Sequence, residues 1–514
     1  MSRIQGSKWP LAVLLAAMLL AAPLWSVAMP GMPDYPAHLA SFALIAGEPS
    51  RHYYVEWAAL PNLATEALVP LLGRALPLET AARIVLTATI LMWVIGPALI
   101  QRALFGRAGP GVLLSAFFAY NANFIWGFFN YTFAVGLAFL VFAAWIATDG
   151  RRTAGQLVGF AVAFTLLYFS HLFGLAVLLL AIGGYELPAL VAEQFAPASL
   201  WRRVAAPALC ALPAALAFLL LKPKAAGGDN FAFDLLSTLQ DRFEAAIQAG
   251  FGKPVLPLTV ALIVLFVLAV ATGRATVHPR MRVTLALFAL GALFAPEWAL
   301  GGWGVHMRLP AVLGALAFAT LEWKLTPRTL GTGAVVAMAL LATGAAFLAQ
   351  DWRRYGAQYE EFRAHDAAIA RDAKVLTVLD GDSIGWAADQ PFWHMAEFAV
   401  IDRGAFTPVM FTTAGQHVVH LRPPLERIAA ATAQQGSPPD IDELADLAAG
   451  RMEADEDYRE VFPYLLRFQC HFDEALVIHG AGPHSRPPAM LRKRAEGSFY
   501  TLYDIVPDGN CAKR

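Results

Sequence analysis

Charge is scarce in this sequence: Asp, Glu, Lys and Arg together make up 15% of 514 residues, and they nearly cancel to a net charge of -1. Without a basic field there is nothing to hold a polyanion, so no nucleic-acid partner is expected. The spacings CxxC and HExxH are absent, and the glycine-containing stretches "GDSIGW" and "HGAGPHS" lack the spacing of a phosphate-binding loop. Internal repeats and low-complexity linkers are also missing. There are only three cysteines. Cys210 falls in an apolar run and reads as packing, whereas Cys470 and Cys511 lie near the C-terminus, where an oxidising compartment would let them pair.

What the chain has instead is apolar surface. Hydrophobic residues make up 58% of it, and its mean hydropathy is +0.52, which no ordinary soluble domain matches. A spanning helix needs about 20 mainly apolar residues. The sequence predicts about eleven spans: 10–29, 82–100, 110–126, 131–148, 155–170, 172–189, 204–221, 254–272, 283–300, 309–322 and 329–349. Basic residues favour the cytoplasmic ends of spans. Arg3 and Lys8, Arg102 and Arg107, Arg151 and Arg152, Arg202 and Arg203, the Arg274, Arg280 and Arg282 group, and Lys324 with Arg328 fall in alternate connections. The expectation is a multi-pass protein of the inner (plasma) membrane, N-terminus cytoplasmic and C-terminal part extracytoplasmic. The first run also reads as a signal peptide cleaved near "WSVAM", and either reading exports Asp34.

Past residue 350 the pattern changes. Strand-like stretches "KVLTVLD", "TPVMFT", "EALVIHG" and "SFYTLYDIV" alternate with helix-like stretches at 424–434 and 441–450. The fold expected is mainly α. A transmembrane domain over 1–350, with its first exported loop at 30–81, precedes an exported α/β domain over 351–514. His394, His417, His420, His471, His479 and His484 in the latter read as surface or core histidines, not as a metal site.

Polar residues beside the spans gather on the exported side: Asp34 and His38, Asn121, Asn123 and Asn130, His171, and Glu297, His306 and Arg308. Charges near hydrocarbon are costly unless paired or wetted, which makes such residues functional candidates. Asp34, in "MPDYPAHL", reads either as a helix N-cap or as a carboxylate base. His38, one turn on, would orient that acid, bind substrate or simply pack. Arg308 reads as a snorkelling arginine or as a fork gripping phosphate, and Glu297 as its partner or a substrate contact. Asp229, Asp234 and Asp241 lie in a long exported loop and read as solvated acids, one of which could supply a second carboxylate.

Together, "MPDYPAHL", the loop helices up to about residue 78, "GGWGVHMRLP" and the C-terminal α/β part resemble the GT-C superfamily of integral membrane glycosyltransferases. That resemblance implies a sugar donor carried on a polyprenyl phosphate and a glycan, lipid or protein acceptor. It also implies an acidic residue of the first exported loop as base or metal ligand, here Asp34. Arg308 would then stabilise the departing lipid phosphate. His38, His171, Glu297, His306 and Asn130 would contact substrate, and Trp126 or Trp303 would stack on a sugar. No adjacent acidic pair occupies the first two exported loops, so a divalent metal ion is an open expectation. A membrane transporter and a non-catalytic envelope scaffold are the competing readings.

Overall fold

The computed structural model describes residues 8–221, 233–251, 256–299, 302–381, 391–429, 438–507 and 511. Asp229, most of "GDSIGW" and the later part of 424–434 lie outside the described residues. The architecture is a helical bundle carrying a smaller sheet-containing unit. Five helices are long and apolar enough to cross a bilayer: Leu78–Phe105, Phe129–Ala147, Leu172–Ala192, Pro197–Leu221 and the long helix that begins at Pro327. Shorter apolar helices, among them Lys8–Trp25, Ala154–Ser170, Leu256–Ala271 and Leu309–Ala319, stand where further spans are expected.

The span expected at 110–126 is broken into Gly111–Ser115, a 3-10 turn at Ala116–Phe118 and Ala122–Trp126. Asn121 explains the last break, because its side chain accepts from the Phe124 N–H and caps a new helix start. The helix expected over 283–300 ends at Phe294, ahead of Pro296, and a two-strand turn, Trp298–Ala299 with Gly302–Trp303, follows.

The centre of the bundle is built on close approach. A Cβ at Gly174 would lie 2.4 Å from the Ala134 Cβ, so Leu172–Ala192 contacts Phe129–Ala147 almost backbone to backbone, the geometry small residues permit where lipid offers no hydrophobic drive. Trp93 and Trp145 are fully buried, while Leu219, Leu220, Val162 and Val335 point outward.

Helix Pro327–His365 runs about 58 Å at 1.5 Å per residue, continuing past residue 350 into the C-terminal part. There a four-stranded sheet has the order Val375–Asp380, Glu474–His479, Tyr500–Ile505, Leu491–Glu496, the first pair parallel and the rest antiparallel. "TPVMFT" is not a strand: Pro408 brings no N–H, and the Thr407 amide is taken by the Tyr53 hydroxyl. Val419–Leu421, within "HVVHLRP", instead pairs antiparallel with Tyr53–Val55. Ala40, Leu44 and Tyr53 enter the same apolar cluster as the sheet, so the first loop and the C-terminal part are one packed body. Cys470 and Cys511 form a disulfide, with Cα atoms 5.3 Å apart.

Candidate functional site

The turn Trp126–Tyr131 organises the polar residues. It joins two helices at the bundle end that receives Asp34, and three groups of side chains pack around it.

The first group centres on Asp34. It precedes helix Tyr35–Ala46 at the N-cap position but makes no side-chain cap, and the Trp126 carbonyl accepts its backbone N–H at 3.0 Å. The side chain is buried and turned inward, with the Trp126 indole bonded to the carboxyl and His394 Nε2 3.9 Å away. Burial raises the Asp34 pKa from 3.8 to about 7, against the pull of His394 and Trp126. Gly127 makes this packing possible: its φ is +121°, and a Cβ there would lie 2.5 Å from the Asp34 Cβ.

His394 is enclosed. Burial disfavours its protonation, but Glu397, 3.6 Å from its Nδ1, and Asp34 outweigh that and raise its pKa. The Thr407 hydroxyl donates to Glu397 in turn. His38 does not orient the acid. Its Nε2 bonds the Gly127 carbonyl at 3.0 Å, its ring stacks on Phe129, and burial lowers its pKa to about 3. His38, His394 and His417 all lie against the Phe411 ring.

The second group contains an acid the sequence reading passed over. Glu66, buried near the start of Ala64–Gly73, accepts from Asn130 Nδ2 at 2.6 Å, and the Thr65 hydroxyl oxygen lies 3.2 Å from its carboxyl. Burial raises its pKa to about 7. The Asn130 amide is fully engaged, since its Oδ1 accepts from the Thr65 amide and hydroxyl and its Nδ2 also donates to the Asn62 carbonyl. Asn130 therefore positions Glu66 and has no donor or acceptor left over for a sugar.

Arg308 and His171 form the third group. The Arg308 guanidinium lies over Phe128, Tyr131 and Phe173 and donates to the Trp303 carbonyl at 2.9 Å. Its Nε is buried without a partner, and no carboxylate among the described residues pairs with it. His171 caps Leu172–Ala192, its Nδ1 accepting from the Phe173 N–H. In the tautomer that leaves Nδ1 free to accept, the ring proton is on Nε2, 3.3 Å from the guanidinium. Two donors thus face each other, an arrangement that an oxygen anion between them would satisfy. Tyr131 ties this group to the turn by donating to the Arg308 carbonyl at 2.7 Å.

Glu297 does not pair with Arg308: its carboxylate accepts from the Trp303 indole at 3.2 Å. His306 is fully buried with both ring nitrogens unpartnered, and burial lowers its pKa to about 4. Trp126 and Trp303 are engaged with acids, Asp34 and Glu297. Asp234 turns its carboxylate onto the Leu236 and Ser237 amides, and Asp241 sits in the first turn of Leu239–Ile247.

Three residues of this site were missed in the sequence, each with a faint signal. Glu66 is a lone acid in the apolar "NLATEALV", and His394 with Glu397 shares a face in "WHMAEF".

No family model matches the chain, and no curated protein does. Among solved structures it is similar to ArnT from Cupriavidus metallidurans bound to undecaprenyl phosphate. The TM-score is 0.50 at 12% identity, over 99% of this chain and 99% of that one. The arabinofuranosyltransferase AftD from Mycobacteria matches at a TM-score of 0.40 and 15% identity, over 99% of this chain and 40% of that one. Aligned over 99% of its length, the chain shares the fold of that ArnT structure.

Proposed function

We propose that the protein is a membrane glycosyltransferase that moves a sugar from a polyprenyl-phosphate donor to an acceptor hydroxyl on the extracytoplasmic face. The observation that carries this reading is the pairing of unlike groups on one turn. A buried carboxyl with a pKa of about 7 packs against Gly127, and a buried guanidinium that pairs with no carboxylate among the described residues packs over Phe128. The first suits a base working near neutral pH, and the second suits a leaving phosphate.

In the reaction the acceptor oxygen attacks the anomeric carbon and gives its proton to Asp34. The bond between that carbon and the phosphate oxygen breaks, and polyprenyl phosphate leaves with the electron pair, its charge met by Arg308 and the Nε2–H of His171. Attack opposite the leaving group inverts the anomeric centre. His394 and Trp126 hold the Asp34 carboxylate, and Asn130 with Thr65 holds Glu66 as a second acid able to contact the sugar or a metal ion. The similarity of fold to a structure bound to undecaprenyl phosphate supports the class of donor. The Cys470–Cys511 disulfide supports an exported C-terminal part.

The test is release of polyprenyl phosphate from lipid-linked sugars by purified protein in detergent with candidate acceptors. Asp34→Asn is expected to lower turnover by about 10²- to 10⁴-fold with little change in KM. Arg308→Lys should lower it too, because an ammonium lacks the planar fork. Release by Asp34→Asn at the wild-type rate would sink the assignment.

A further inference from the structure

Away from the turn, the sheet holds a second cluster of chemistry-bearing side chains. Asp380 ends the strand Val375–Asp380, His479 ends the parallel strand Glu474–His479, and the two are register partners. His484 comes back over them from the connection that follows His479. One carboxylate oxygen, Asp380 Oδ2, lies 2.9 Å from His479 Nδ1 and 3.1 Å from His484 Nδ1, and the three candidate ligand atoms all lie within 4.8 Å of one another. We propose that Asp380, His479 and His484 bind a divalent transition-metal ion, with zinc the best match.

Two imidazole nitrogens and one carboxylate oxygen form a donor set suited to zinc, and four-coordinate zinc holds such atoms at about 2.0–2.2 Å. A tetrahedral centre of that radius sets its ligands about 3.3–3.6 Å apart, a few tenths of an ångström beyond the two oxygen–nitrogen distances here and within the 4.8 Å that bounds all three atoms. The groups behind the cluster are arranged as ligand supports. His479 Nε2 lies 2.8 Å from the Thr501 hydroxyl, and Asp380 Oδ1 accepts from the Ser485 N–H at 3.0 Å. With its Nε2–H on Thr501, His479 turns the Nδ1 lone pair toward Asp380 Oδ2, where two lone pairs need a cation between them.

Access and redox state fit as well. Asp380 is 2% exposed, whereas the His484 side chain is 46% exposed and leaves one side open for a fourth ligand. The disulfide of the same domain implies an oxidising compartment, which favours a metal without redox chemistry. Bound there, the ion would clamp the connection after His479 onto the ends of the parallel strands. The site shares no residue with the one around Asp34 and stands independently of the transferase reading.

The experiment uses the full-length protein in detergent, stripped with a chelator and titrated with Zn2+ against a chromophoric competitor. Co2+ absorption reports the ligand geometry. Wild type should bind one zinc more per chain than His484→Ala, an exposed position whose loss leaves the fold intact. Thr501→Val should keep that zinc but weaken it by about 10- to 100-fold. Chelation should lower the melting temperature of wild type and not that of His484→Ala. Equal stoichiometry and affinity in wild type and His484→Ala, or no zinc taken up by wild type at micromolar concentration, would overturn the proposal and leave the cluster as two histidines donating protons to one carboxylate.

Discussion

Asp34 answers two opposed demands. Burial raises its pKa from 3.8 to about 7, so the folded protein holds that proton more tightly than the unfolded chain does. The resulting stabilisation is complete below about pH 4 and is lost as pH rises through about 7. Above that pH the native state carries a buried carboxylate at a cost on the order of a few kcal/mol, given 1.36 kcal/mol per pKa unit. Asp34→Asn should therefore melt at a higher temperature than wild type at pH 8, and the advantage should vanish near pH 4. Activity runs the other way: only ionised Asp34 accepts a proton, so wild-type kcat/KM should climb with pH to a plateau above about 7. A flat profile between pH 5 and 8, with equal melting of the two proteins, would contradict both claims. Gly127 supplies a second test at this scale. In Gly127→Ala, the added methyl meets the Asp34 Cβ at 2.5 Å on a backbone of φ +121°, so the acid must move. A displacement near 1 Å costs about 10²-fold in rate, and kcat should fall further than substrate affinity does.

At the scale of elements, the end of the bundle away from Asp34 is held by charges. Glu186, buried on Leu172–Ala192, meets Arg152 at 3.1 Å, Arg203 at 2.6 Å, Arg280 at 2.9 Å and the Trp145 indole at 2.8 Å. Asp149 and Glu193 complete the neutralisation by pairing with Arg280 and Arg203. Glu186→Gln would leave three arginines sharing two carboxylates in a poorly solvated site, and breaking such a pairing costs about 3–5 kcal/mol. Melting of the variant in detergent should drop accordingly, and donor binding at the far end should be unchanged in whatever stays folded. The sequence carried the long apolar helices, because composition alone fixes those, and it carried the strands Val375–Asp380, Glu474–His479 and Tyr500–Ile505 through their apolar β-branched runs. It did not carry Leu491–Glu496, whose "LRKRAE" reads as surface because an edge strand exposes its charges, nor the pairing of Tyr53–Val55 with Val419–Leu421 across some 365 residues. Site residues followed the same division. Asp34 and Arg308 stood out as charges beside spans, while His394 and Glu397 looked ordinary, since only tertiary packing brings them from the C-terminal part onto the first loop.

For the whole molecule, one bundle with two unlike ends makes sidedness testable. The end bearing Asp34, Glu66 and Arg308 is continuous with the sheet unit and its disulfide, and the other end holds the arginine cluster, which the preference of basic residues for the cytosol would turn inward. Glu48 is exposed just after helix Tyr35–Ala46, and Arg151 is exposed in the turn after Phe129–Ala147. Replacing each in turn with cysteine, in a chain carrying Cys210→Ser, gives two reporters on opposite ends. A membrane-impermeant maleimide applied to intact cells or spheroplasts should label Glu48→Cys and spare Arg151→Cys, and inverted vesicles should reverse the pattern. Labelling of Arg151→Cys from outside would place Asp34 in the cytosol, where nucleotide-activated sugars are available and a lipid-borne donor on the far leaflet is out of reach. The orientation thus decides which donor the buried carboxyl and guanidinium can meet, and an inverted result would remove the lipid-linked donor from the mechanism while leaving the fold as described.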